Sequence, residues 1–96
     1  MTTHQDDFEI LERRYAMYVL LAIDENPSST KTDIMRLDQG NEKTKFQRIN
    51  ELISDGFVEQ VQAEGYSTKR LALTDKGKAV LGHIRSIKQI IIESDE

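Results

Sequence analysis

The chain has 96 residues, enough for one small domain, and its 38% hydrophobic and 31% charged residues exclude a disordered chain. It has no cysteine, which rules out disulfide frameworks, thiolate metal sites and cysteine nucleophiles; its two histidines, His4 and His83, have no second ligand at metal-binding spacing. The formal charge of -4 is unevenly spread: residues 1–12 and 93–96 hold seven of the 17 acids and none of the 13 bases, which leaves residues 13–92 with 13 bases against ten acids. A mildly basic body between acidic ends is compatible with a nucleic-acid partner. The longest apolar run, residues 16–23, is far too short to span a membrane, and the stretch before it is acidic. An intracellular, cytoplasmic protein with no membrane partner is therefore expected.

The first helix is expected over residues 7–24, where Phe8, Leu11, Tyr15, Tyr18 and Ala22 step by three and four. Val19, Leu20, Leu21 and Ile23 widen the apolar arc, so this helix is buried on more than one side. Asn26-Pro27 ends it. Thr30 and Asp33 have the spacing of a capping box for a short second helix, 31–38, with Ile34, Met35 and Leu37 turned inward. Gly40 supplies the turn and Asn41 the cap of a third helix, 42–55, with a buried stripe of Phe46, Ile49, Leu52 and Ile53. Gly56 ends that helix and Phe57 closes it.

Two strands follow, 57–62 and 68–73, around a turn at Glu64, Gly65 and Tyr66. Their register stays open, because a slip of one residue exchanges the faces. Thr74 caps a last helix, 75–93, on which Val80, Ile84, Ile87 and Ile91 form a heptad-like seam beside Leu81, Ile90 and Ile92. The order predicts a mainly α fold with a small β-hairpin, a winged helix-turn-helix. Its divisions are an acidic tail 1–7, a winged helix-turn-helix unit 8–74, a C-terminal dimerisation helix 75–93 and a tail 94–96.

Three stretches carry a resemblance: the Thr-Lys-Thr-Asp-Ile-Met run at 30–35, the run from Arg48 through Gly56 to Val58, and Leu73-Thr74-Asp75-Lys76-Gly77. Residues 15–87 resemble small winged helix-turn-helix transcriptional regulators of the MarR and PadR kind and their compact archaeal relatives. The resemblance implies sequence-specific DNA binding as a homodimer, often as a repressor. One departure is the wing, where Glu59 and Glu64 stand beside Lys69 and Arg70 in place of the family's several bases.

Opposite the stripe, the third helix is read as presenting Lys43, Thr44, Gln47 and Arg48 in its amino-terminal half, the half that enters a major groove. Arg48 suits guanine, Gln47 adenine and Thr44 a thymine methyl, with Lys45 at the core edge reaching phosphate. Asn41, at the cap, completes that helix's DNA-binding set. Thr30, Lys31 and Thr32 open the second helix, where free N–H groups can hold phosphate, although ordinary capping explains them equally well. Ser67, Thr68, Lys69 and Arg70 supply the wing contacts, although Lys69 and Arg70 can equally pair with Glu59 and Gln60. Arg13 and Arg14 read as surface partners of Glu9 and Glu12, and His83 as structural.

Val80, Leu81, Ile84, Ile87 and Ile91 are assigned to a dimer interface, because a chain this short has little core left to cover them. No metal, cofactor or catalytic constellation is expected, and no effector is named by the residues. The reading is a homodimeric regulator of double-stranded DNA. The alternative is a winged-helix protein-interaction module, motivated by the overall negative charge and the acid-bearing wing.

Overall fold

The computed structural model describes residues 5–62, 65 and 67–94. A 3-10 turn, Gln5–Phe8, leads into α1 (Glu9–Glu12) and α2 (Ala16–Glu25). The helix-turn-helix is α3 (Lys31–Met35) and α4 (Glu42–Ser54); the wing is β1 (Val58–Val61) and β2 (Arg70–Leu73); α5 (Asp75–Ser94) closes the chain. The structure is thus mostly helical with one antiparallel hairpin and a long last helix, as the sequence predicts. The 3-10 turn begins at Gln5, inside the stretch read as the acidic tail. His4, Glu64, Tyr66, Asp95 and Glu96 lie outside the described residues, so expectations about them have no counterpart here.

The capping residues do what their chemistry dictates. Thr30 accepts from the Asp33 amide at 3.1 Å while the Asp33 carboxylate accepts from the Thr30 amide at 3.0 Å, a complete capping box. The Asn41 side chain accepts from the Thr44 amide at 2.9 Å. At the far end of α4, Gly56 takes φ +85°, its amide reaching Ile53 O while that of Phe57 reaches Leu52 O. That pair of bonds is a Schellman closure and needs the left-handed residue glycine supplies.

The entry to α5 is clamped onto this closure. Thr74 Oγ1 donates to Gly56 O at 2.6 Å and accepts from the Gly77 amide at 3.0 Å, while the Thr74 amide donates to Phe57 O. Val58 pairs with Leu73 and Val61 with Arg70, the register that sends Val58, Leu71 and Leu73 into the core. The Leu71 amide also donates to Ser29 O, so the segment after α2 covers the outer edge of β2. The core gathers Val19, Leu20 and Ile23 of α2 with Ile34, Ile49, Leu52, Leu73, Leu81 and Ile84.

Four expectations are corrected. The first helix is not continuous: it breaks at residues 13–15, where Tyr15 has φ +69°. The break swings the Tyr15 hydroxyl to accept the Asn41 amide at 3.2 Å, a long-range contact that a periodicity count cannot register. The second helix stops at Met35, and Leu37 is exposed. The buried stripe of α4 is Lys45, Arg48, Ile49 and Leu52, so the helix is rotated; Phe46 is 41% exposed. Leu81 and Ile84 fill the core of their own chain, whereas Ile87, Ile90, Ile91 and Ile92 stay exposed. α5 packs on α2 and β2, Arg85 pairs with Asp24 of α2 at 2.7 Å, and Ile87, though exposed, lines an apolar concavity with Phe8, Leu11 and Met17 of its own chain.

Candidate nucleic-acid interface

Two cationic side chains of α4 point inward and explain the rotation. Lys45 is fully buried; its ammonium donates to Asp38 O at 2.9 Å and Gln39 O at 3.4 Å, and lies 5.4 Å and 5.0 Å from the ring centroids of Tyr15 and Tyr18. These contacts satisfy the charge within the protein. They tie α4 to α2 and to the turn that precedes it. The Tyr18 hydroxyl donates to Asp38 at 2.6 Å, and burial, with that carboxylate, pushes its pKa up to about 12. The Tyr15 hydroxyl, accepting the Asn41 amide, is held below its ordinary value.

Arg48 is 9% exposed; its Nε donates to Arg14 O at 2.8 Å and its Nη1 to Glu51 at 2.6 Å. Arg13 pairs with the same Glu51 oxygen and with Glu9 at 2.8 Å. Arg48 is therefore corrected from an outward probe to a brace between α4 and the break in the first helix, and Lys45 from the core edge to the core. Arg13 reaches Glu9 as expected, and also Glu51.

Partial burial opposes ionisation of Glu51, yet the Arg13 and Arg48 guanidiniums outweigh it and hold its carboxyl below the usual value. A depressed folded pKa means a stabilising contribution that is complete above the unfolded value and lost as pH falls through the folded one. Thermal stability should accordingly fall below about pH 4.5, and Glu51→Gln should flatten that acid limb. An identical acid limb in the variant would remove Glu51 from the account.

What α4 leaves outside is a different set. Lys43, Phe46 and Gln47 are exposed, Thr44 and Asn50 half-buried. Lys31 bridges from α3: its ammonium donates to Asn50 Oδ1 at 2.7 Å and lies 5.6 Å from the Phe46 ring centroid. Lys31 and Phe46 also line a concavity of about 370 Å³, together with Thr30, Thr32, Gln60, Ser67, Thr68 and Lys69. Its lining has two lysines and no acid.

The fold thus brings together two segments that lie far apart in the chain, the start of α3 and the descending side of the wing. Asn41 is occupied in capping, and Arg70 is half-buried, with Nη1 donating to Ser28 O at 3.3 Å. Sequence reasoning missed Phe46, Asn50 and Gln60. A signal was present for the first two: Lys45, Ile49 and Leu52 also step by four and three, if the lysine stem is counted as apolar.

The described chain is a winged helix-turn-helix protein: α3 and α4 form the helix-turn-helix, β1 and β2 the wing. Its fold is that of the HxlR- and MarR-type transcriptional regulators. It superposes on a possible HxlR family transcriptional factor from Thermoplasma volcanium GSS1 with a TM-score of 0.74, at 24% identity over 99% of this chain and 95% of that one. The regulator SlyA gives a TM-score of 0.77 at 25% identity, over 93% of this chain but only 64% of SlyA, so the chain spans less than two thirds of that protein. Streptococcus pneumoniae FabT, solved in complex with DNA, gives 0.72 at 19% identity over 93% of this chain and 67% of FabT. No family model and no curated protein matches the sequence.

Proposed function

We propose that this protein is a homodimeric, sequence-specific DNA-binding transcriptional regulator, acting as a repressor. The observation that carries the reading is the acid-free concavity where Thr30, Lys31 and Thr32 meet Ser67, Thr68 and Lys69 against Phe46 of α4, the helix that also exposes Lys43 and Gln47. In this reading α4 enters the major groove with Lys43, Thr44 and Gln47 at base edges. The hydroxyls and lysines of the concavity hold the flanking phosphates. The exposed isoleucines at the end of α5 support a twofold partner, since such a row left in water favours association. Two modules on one duplex gain effective concentration that a single module lacks. Similarity to FabT, solved in complex with DNA, favours the same reading.

The test is fluorescence anisotropy of the full chain with random duplexes across a salt series. Binding at low salt is expected, with affinity falling at a slope near -0.9 per phosphate neutralised. Lys69→Gln should weaken binding on all sequences alike and reduce the slope by about one contact. Two chains per duplex are expected at saturation. No binding at low salt would overturn the proposal and leave the winged helix as a protein-interaction module.

A further inference from the structure

We infer that Phe46 is a base-reading residue that packs on the 5-methyl group of a thymine in the major groove. This rests on the DNA-binding reading above and deepens it. Phe46 lies in the amino-terminal half of α4, the half that a recognition helix inserts. It is 41% exposed, although it is a large apolar residue on a helix whose core face is already complete with Ile49 and Leu52. Its neighbours outside are Lys43 and Gln47, both exposed, and it forms one wall of the acid-free concavity.

The ring is also held in place. The Lys31 ammonium stands over it at 5.6 Å while bonding Asn50 Oδ1 at 2.7 Å, so α3 and α4 both fix its position. A positioned aromatic beside a phosphate-binding groove meets one apolar feature on the major-groove edges of the bases, the thymine methyl. The hydrogen-bonding edges are left to Lys43 and Gln47. Specificity from Phe46 is thus a matter of a buried methyl, not of hydrogen bonding.

The experiment uses the full chain. Preferred sites are recovered from a pool of random duplexes, and each thymine is then replaced in turn by deoxyuridine, which removes the methyl and keeps the pairing edge. One thymine in each half-site is expected to lose about 4-fold in affinity, the worth of one buried methyl. Phe46→Ala should bind the thymine duplex more weakly by at least that factor and show no further loss with deoxyuridine. Circular dichroism checks that the variant folds, and the wild-type comparison stands without it.

Wild-type binding that is indifferent to every deoxyuridine substitution would overturn the inference while leaving the DNA-binding reading intact. So would a deoxyuridine penalty that persists in Phe46→Ala. Failure of the wild type to recover any site would overturn the reading beneath it, and the inference with it.

Discussion

Gly77→Ala is expected to destabilise the fold by about 3 kcal/mol, the upper range for overpacking a tight site. A Cβ at this position would stand 2.1 Å from Phe57 O, closer than atoms can approach, and the atom it meets is backbone. Phe57 O is held by the Thr74 amide, and Gly56 O by the Thr74 hydroxyl, so the obstruction cannot swing aside as a side chain would. Helix propensity alone predicts the opposite sign, since alanine is better than glycine by about 1 kcal/mol inside a helix.

The clash outweighs the propensity, and the melting temperature should fall by roughly 15 °C for a domain of this size. Gly82→Ala is the internal control: nothing lies within 4 Å of its added Cβ, and it should raise the melting temperature. Paired thermal melts decide the matter. A Gly77→Ala protein as stable as the parent would mean that α5 does not sit on the end of α4 as described.

Lys45→Ala should cost about 2–4 kcal/mol, combining a cavity with lost charge-assisted hydrogen bonds. The Asp38 and Gln39 carbonyls lose their ammonium donor, and the space the side chain fills beside the Tyr15 and Tyr18 rings is left empty. Lys45→Met keeps most of the stem and should cost roughly 1–3 kcal/mol, the part due to the missing donor. Denaturant unfolding measures both. A lysine that served DNA would instead lower affinity with unchanged stability, so the two roles separate in one pair of measurements. If Lys45→Met unfolds at the parent's midpoint, the buried ammonium does not hold the turn.

The same two α4 cations show where reading a sequence for function goes wrong. Counting polar residues as outward gave Arg48 a base to read and placed Phe46 in the core, because periodicity treats charge as a synonym for exposure. Phe46 and Lys45 are adjacent in the chain, so crediting the wrong one as buried rotates the whole helix by one position. Apart from Glu51, which pairs with Arg48, the hydrogen-bond partners that justify burying Lys45 and Arg48 are Asp38 O, Gln39 O and Arg14 O, backbone carbonyls that carry no side-chain signature. The α5 seam fails in a related way. It is one apolar repeat, but Leu81 and Ile84 are buried in the core of their own chain while Ile87 and Ile91 stay exposed, a division that the repeat itself does not register.

Local chemistry was enough for the element order and for the punctuation: the Thr30–Asp33 box, the Asn41 cap, the Gly56 closure and the Thr74 cap involve residues within a few positions of one another. Contacts between residues far apart in the chain decided the rest. The left-handed break at Tyr15, the hairpin register, the orientation of α4 and the meeting of Lys31 with Lys69 across one concavity all come from that source. The physical reason is that caps and periodicity are properties of one segment, whereas burying a charge requires partners that only the assembled chain brings within reach.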